Sequence, residues 1–545
     1  MTGGMDVLDA DVLRAWAGGA RTALALARPA VDAVNVFPVA DADTGTNALL
    51  TITGGAEAVA ALPAGTGALA VARAFARGAL LAARGNSGVI LSQYLAGFAD
   101  GLAGAAPTDP SVTLLTAPAA LAAPAALAAP AGSTALAVPR PGEPAPPHVA
   151  GRDEPATDVV RALASAATAA RAAVAEPSEG TVLTLADTVA ARAASHDPRL
   201  PAATVLGSVL DDARAALELI SAEHPVLRRE HVPDAGACAL LVVLDALHRA
   251  VTGTPEPTTP APWLPPVEQH AHADHEGSGA FEVMLVVRAD ADEDLAGPLQ
   301  ARLAEVGDSV AVVGGDGVWH VHVHTDDPAA AIDAAALGAR EQAVVRLVDA
   351  PHGQTLDDAE PAARWGLVAC TAAPALAAWY AAAGAVVLVV PDTPVTATHV
   401  ARAVADTGAS DVALLPGGVV GAEALTDRPG PVVEVLDADD ELRVVVATLA
   451  FASSASSSGT AAAVHDAVRA LGRLRVVRVD DASALPAAVD DVLTGPGGES
   501  LTVLHRDPLD DATSAHVEAA AAARGLEPVL VGPTRGGAAF WVGVD

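Results

Sequence analysis

Apolar residues recur every three to four positions through the first half of the chain and every second position in stretches of the later half. The pattern therefore divides into a helical part and a part that alternates strands with helices. Residues 5–34 predict a helix, with Leu8, Val12, Leu13 and Trp16 spaced for one buried face. Helical spacing resumes at 48–62 and 68–81, continues through Val89-Ile90-Leu91-Ser92-Gln93, and returns at 158–175, 205–222 and 239–251. From Phe281 the period shortens: 281–287 predicts a strand, 295–306 a helix and 309–313 a strand. Gly314-Gly315-Asp316-Gly317 then predicts a hairpin turn into a strand over 318–325. Beyond Trp365, apolar strands at 366–369, 386–390, 411–415 and 432–435 alternate with alanine-rich helices, an α/β pattern with a largely parallel sheet. The predicted fold is multidomain: an all-α N-terminal helical bundle over 1–252, a linker over 253–277, an α/β middle domain over 278–360 and an α/β C-terminal domain over 361–545.

Two stretches break these periods. Residues 103–156 carry alanine-proline repeats, uncharged from 111 to 139. Recurrent proline and weakly apolar alanine predict a disordered or polyproline-like insertion there and argue against a membrane span. The 253–277 stretch is rich in proline, threonine and histidine, including His270, His272 and His275, and reads as a solvated linker.

Charge narrows the function classes. The chain has 66 acidic and 31 basic residues, a net charge of -35, which disfavours nucleic acid or an anionic membrane as partner. Every basic residue is arginine. Without lysine neither a Walker P-loop nor the protein-kinase strand lysine can be present. If the protein handles ATP, metal, backbone N–H groups and arginine must do the neutralising. Cys238 and Cys370 lie too far apart in sequence for a CxxC motif, and Cys238 reads as a small buried hydrophobe. The N-terminus shows no basic, then apolar, leader pattern, so a cytoplasmic location is expected.

The densest chemistry lies in Asn35-Val36-Phe37-Pro38-Val39-Ala40-Asp41-Ala42-Asp43-Thr44-Gly45-Thr46-Asn47. Asp41 and Asp43, two apart, can aim oxygens at one point, a ligand type suited to Mg²⁺. Gly45 allows close backbone approach, and the amides of Thr44, Gly45, Thr46 and Asn47 can face phosphate. An ordinary alternative is an Asp-rich loop that caps the next helix. Further on, Arg84-Gly85-Asn86-Ser87-Gly88 can open a helix with free amides and a hydroxyl. Pro177-Ser178-Glu179-Gly180-Thr181 and Asp234-Ala235-Gly236 are further helix-opening turns, for which plain capping is also a sufficient reading. In 318–325, two-residue spacing puts His320, His322 and His324 on one strand face, where imidazoles can ligate Zn²⁺ or stay as half-buried neutral groups.

The thirteen-residue string resembles the NVFPVPDGDTGTN signature of the nucleotide-binding (DhaL-type) domain of dihydroxyacetone kinases, in the form carried by the ATP-binding subunit of bacterial fatty acid kinase. Ala40 and Ala42 stand where that form has proline and glycine; neither removes a ligand, though loss of the glycine stiffens the loop. ARGNSGVILSQ, the PxEGTxLT segment around Gly180 and Thr181, and the Asp234-x-Gly236 turn follow in family order. The resemblance implies a helical DhaL-like barrel, with Mg²⁺ on Asn35, Asp41 and Asp43 and Asp41, Asp43 and Asn47 at the reacting phosphate. It places the nucleotide phosphates against Thr44 to Asn47, Asn86, Ser87 and Gly88, with Gly180, Thr181, Asp234 and Gly236 lining the nucleotide. Asp32 is a further acid, ranked after Asn35.

In the family's middle domain a VHVHT strand, matched here by His322 and His324, forms a zinc site completed by a cysteine on the first strand. No cysteine lies near Ala280 or Phe281, leaving His320 or Glu282 as substitutes. The C-terminal GGQTMNPS string is replaced by Pro391-Asp392-Thr393-Pro394-Val395-Thr396, and LPNN is reduced to Leu415-Pro416-Gly417-Gly418. That domain is where the resemblance implies docking of a fatty-acid-binding carrier protein. The function implied is ATP-dependent transfer of phosphate to a fatty acid carboxylate. A homodimer is left open. Alternatives are a nucleotide-binding regulator or scaffold without turnover, and a dihydroxyacetone kinase-type subunit, which the lack of a covalent-substrate domain disfavours. Ser453 to Ser458 reads as a flexible loop, since no acid or histidine is placed by the sequence to activate a serine.

Overall fold

The computed structural model describes residues 8–37, 42–104, 156–174, 177–197, 199–265, 279–315, 317–348, 365–390, 392–425, 432–495 and 497–545. Asp41, Asp316, most of the alanine-proline stretch and the linker histidines His270, His272 and His275 lie outside the described residues.

The N-terminal half is helical: α1 (Ala10–Ala33), α2 (Thr44–Ala60), α3 (Ala68–Leu81), α4 (Gly85–Leu102), α5 (Thr157–Ala172), α6 (Val182–Ser195), α7 (Ala202–Ser221), α8 (Pro225–Glu230) and α9 (Ala235–Thr252). Alanine and glycine are frequent on the contact faces, so the axes approach closely around a few large side chains. Trp16 is the chief of these. Its rings lie 5.2 Å from Phe75 and 4.8 Å from Phe98, and its Nε1 donates to the Val243 carbonyl at 2.9 Å, joining α1 to α9. Helix α9 is long and apolar enough to cross a membrane, and most of its residues are buried among the other helices.

The second half is α/β, in the order β1 (Phe281–Arg288), α10 (Ala296–Leu303), β2 (Asp308–Gly315), β3 (Val318–Thr325), α11 (Pro328–Ala334), β4 (Ala339–Leu347), β5 (Trp365–Thr371), α12 (Ala377–Ala382), β6 (Val386–Val389), α13 (Ala397–Asp406), β7 (Asp411–Leu415) and β8 (Val432–Val435). There follow α14 (Glu441–Ser458), α15 (Thr460–Arg473), β9 (Arg475–Val479), α16 (Leu485–Val492), β10 (Ser500–His505), α17 (Asp511–Ala522), β11 (Glu527–Val531) and β12 (Phe540–Val544). One eight-stranded sheet runs β2-β3-β1-β4-β6-β5-β7-β8, antiparallel from β2 to β6 and parallel from β6 to β8. A second, four-stranded sheet runs β11-β10-β12-β9 and is mostly antiparallel.

Ser453 to Ser458 corrects the loop expected there: these residues are the last turns of α14. Asp440 caps the start of that helix, and the run contains no breaker before Gly459, so the alanine- and serine-rich segment continues the helix.

The two halves meet at the turn between α3 and α4. Ala83 and Val89 pack with Ala173 against Ala311 and Val313 of β2. Beside them Arg84 forms a buried ion pair with Asp406 at the end of α13.

Candidate functional site

The site begins where α1 gives way to α2. Asp43 occupies the N-cap position of α2, yet its side chain makes no bond to its own helix. The capping is done from α1: Asp32 accepts the Thr46 N–H at 2.9 Å and the Thr46 hydroxyl at 3.0 Å. The buried Asp43 carboxylate faces the guanidinium of Arg346, 2.5 Å from Oδ2. Burial pushes Asp32 up to about 7 against the pull of its Thr46 bonds, with the Asp43 charge adding to the rise. Ala42, at the position where the resembling signature has glycine, takes φ +52°, a left-handed conformation that costs a residue with Cβ about 1–2 kcal/mol.

The start of α4 comes up beside the start of α2. Thr44 Oγ1 lies 3.3 Å from Ser87 Oγ. Gly85, at φ +56°, passes so close to Asn47 that a Cβ there would sit 2.6 Å from Asn47 Nδ2. Gly88 is equally tight against Thr51. Thr44, Gly45, Thr46 and Asn47 therefore share one neighbourhood with Asn86, Ser87 and Gly88, and two helix N-termini open there with their first-turn N–H groups, an anion-binding arrangement. Asn35, directly after α1, is buried.

Gly180, Thr181, Asp234 and Gly236 form a second cluster. Asp234 accepts the Ala237 N–H at 2.8 Å at the start of α9 and takes the Val182 N–H at the start of α6. Burial pushes this carboxyl up to about 6. The Thr181 hydroxyl caps α6 through Leu183 N–H and donates to the Ser178 carbonyl at 2.8 Å, so both bonds serve the turn itself. The signature loop reaches this cluster through Phe37, whose ring lies 3.9 Å from His224, and the backbone of His224 lies against Gly180.

The α/β half adds residues that the sequence alone does not place. In the β1–β3 and β1–β4 registers, Glu282 stands opposite His324 on one side and Arg346 on the other. Glu282, His322 and His324 are all buried, and their ligand atoms lie within 4.8 Å of one another. His322 Nδ1 is 3.1 Å from Glu282 Oε1, and the two imidazole rings are 4.9 Å apart. Of the two substitutes weighed for the missing cysteine, Glu282 joins the pair. His320 instead lines a small cavity with Arg84, Gln342 and Arg402, and burial pushes it down to about 3.

Burial, then the neighbouring His322, pushes His324 down to about 4, while burial of Glu282 is overcome by Arg346 and the histidines, which hold it well below the usual carboxylate range. Neutral imidazole and ionised carboxylate are the ligand forms zinc takes. The Nε2 of buried His322 lacks a hydrogen-bond partner among the described residues, so the trio fits such an ion. The Asp43 carboxylate and the first-turn amides of α2 and α4 are the oxygen and N–H groups that suit magnesium and phosphate.

Arg346 joins the two centres. Its Nε donates to Glu282 while an Nη donates to Asp43, so a residue of β4 bridges the strand trio and the signature loop. Nothing in the mixed polar and apolar sequence of 339–347 indicates the partners of Arg346.

Comparison with known families places a DAK2 domain on residues 38–144 and 145–249, and the middle domain of FakA-like fatty acid kinase proteins on 278–344. Protein YloV of Bacillus subtilis is 30% identical over 315 residues, covering 55% of this chain and 48% of that protein. Uncharacterized proteins of Staphylococcus epidermidis and Staphylococcus saprophyticus are each 28% identical, over 311 and 313 residues, covering 55% of this chain and 47% of their own length. The chain thus spans about half the length of the relatives it matches. With the helical half carrying the one domain and the strands of the His322–His324 trio lying in the other, the chain joins a DAK2 domain to a FakA-like middle domain, the arrangement of a DhaL-type, FakA-like protein.

Proposed function

We propose that the chain is an ATP-dependent phosphotransferase subunit that transfers the terminal phosphate of ATP to a fatty acid carboxylate presented by a separate carrier protein. The observation that carries this reading is the buried Asp43 carboxylate at the start of α2, ion-paired to Arg346 and next to the Thr44–Ser87 contact that brings the N-termini of α2 and α4 together. Asp43, with Asp41 and Asn35, would hold Mg²⁺, which when bound neutralises phosphate oxygens and fixes their geometry. The amides of Thr44 to Asn47 and of Asn86 to Gly88 would take the charge of the transferred group, and Asn47 would orient it. Gly180, Thr181, Asp234 and Gly236 would border the nucleotide. In the transfer a carboxylate oxygen of the acceptor bonds to the γ-phosphorus as the bond to the β–γ bridging oxygen breaks; ADP leaves and an acyl phosphate forms. His322 and His324, with Glu282 as third ligand, would hold Zn²⁺. The C-terminal domain would dock the carrier, and the protein would work in the cytoplasm.

A regulator that binds nucleotide without turnover is the second reading, favoured by the altered strings at 391–396 and 415–418. Thermal unfolding with and without Mg-ATP tests the site. The wild type is expected to gain about 2.7 kcal/mol at a hundredfold excess over Kd, and Asp43→Ala to gain almost none. No response in the wild type would remove the nucleotide site. Labelled phosphate on a long-chain fatty acid, appearing only when a fatty-acid-binding carrier is added, separates the enzyme from the regulator.

A further inference from the structure

We propose that Arg346 is the cation that meets the terminal phosphate of the nucleotide, held for that role by Glu282; this deepens the reading of the helical half as a nucleotide site and rests on it. The chain has no lysine, so a side-chain cation at the phosphates must be arginine. Two arginines near the signature loop are engaged elsewhere or act at a distance. Arg84 turns its guanidinium to Asp406 and to the Ala82 and Ala83 carbonyls, and Arg28 acts on Asp32 only as a nearby charge. Arg346 enters from β4 with its side chain 8% exposed and brings an Nη to 2.5 Å from Asp43 Oδ2.

The charge balance points the same way. Two carboxylates, Asp43 and Glu282, share the one guanidinium of Arg346, and a metal ion on Asp43 would add positive charge there. An oxygen of Asp43 committed to magnesium is no longer fully available to Arg346. The Nη end of the fork would then be available to phosphate oxygens bound beside Asp43. The Nε end stays on Glu282, so the guanidinium is positioned before the nucleotide arrives and does not have to be ordered by it. The sheet strengthens this placement: Arg346 and Glu282 are opposed residues of paired strands. A planar fork suits phosphate oxygens better than a point charge does, and in phosphoryl transfer a cation of this kind acts mainly on the transferred group.

The prediction is therefore specific to the γ-phosphate. Calorimetric titration of the full chain with Mg-ATP and Mg-ADP, on wild type, Arg346→Gln and Arg346→Lys, reads it directly. Arg346→Gln is expected to weaken Mg-ATP by about ten- to a hundredfold, the equivalent of one charge-assisted hydrogen-bonded pair, and to change Mg-ADP much less. Arg346→Lys is expected to restore part of the difference. Should Arg346→Gln, left with two facing carboxylates, fail to fold by circular dichroism, the double variant Glu282→Gln/Arg346→Gln removes one charge of each sign and is titrated in its place. An unchanged ratio of ATP to ADP affinity in whichever variant folds overturns the proposal and leaves the nucleotide site standing. Equal weakening of both nucleotides also overturns it, since that marks Arg346 as a support for Asp43 alone. A wild type that binds neither nucleotide overturns the site reading and this proposal together.

Discussion

Glu441 opens α14 with its carboxylate folded inward, accepting the Thr371 hydroxyl at 2.9 Å and the Tyr380 hydroxyl at 2.5 Å. Burial outweighs those two bonds and, with the Asp440 charge, pushes the group up from 4.5 to about 7. The folded protein therefore holds this proton more tightly than the unfolded chain does. The stability it contributes is fully present below about pH 4.5 and is lost as pH rises through about 7. Glu441→Gln keeps an acceptor for the hydroxyls and does not titrate. The variant is expected to lack a decline on the order of 3 kcal/mol across that window, read as urea midpoints at pH 4.5 and pH 8. At this scale the sequence named the chemistry-bearing types but not their burial. Asp43 and Asn47 stood out by their neighbours in the signature, whereas Asp32 looked secondary until its bonds to Thr46 showed that it caps α2 in place of Asp43.

Among elements, the meeting of α2 and α4 depends on backbone that a side chain would obstruct. Gly85 combines a left-handed φ of +56° with a Cβ position 2.6 Å from Asn47 Nδ2. Gly85→Ala is expected to cost about 1–3 kcal/mol in denaturant unfolding, from the strained φ and the displaced Asn47. It is also expected to reduce the stabilisation by Mg-ATP, because Asn47 and the α4 amides move together. The helices themselves were legible from periodicity, since Leu13 and Trp16 or Val205 and Val209 recur on one buried face. Strand β4 was not, because Glu341, Gln342 and Arg346 interrupt its apolar alternation. Those polar residues sit in the sheet because each finds a partner off the strand: Glu341 with Arg288 and His399, Gln342 with Arg402, Arg346 with Glu282 and Asp43. Local composition is also a poor guide at the serine run that ends α14. Serine is a weak helix former, and what extends the helix is the buried face of the segment before it.

For the whole molecule, buried ion pairs among the described residues tie the helical half to the α/β half: Arg84–Asp406 and Arg346–Asp43. Asp406→Ala leaves the Arg84 guanidinium buried beside Arg402 and is expected to cost about 3–5 kcal/mol, read as a fall in the urea midpoint. The double variant Arg84→Met/Asp406→Leu removes both charges and is expected to recover most of that loss, because an apolar pair avoids the desolvation that a lone charge suffers. By itself the sequence determined the helical and α/β halves, the absence of a lysine-based phosphate site, and the residues of the signature loop. These follow from local periodicity, composition and neighbours within a few positions. Only the tertiary structure decided that Glu282 stands beside His322 and His324 and that Arg346 links them to Asp43. The Arg346 pairings with Glu282 and Asp43 span 64 and 303 positions of chain, and the sheet register and the packing of the two halves bring them together, not any local preference.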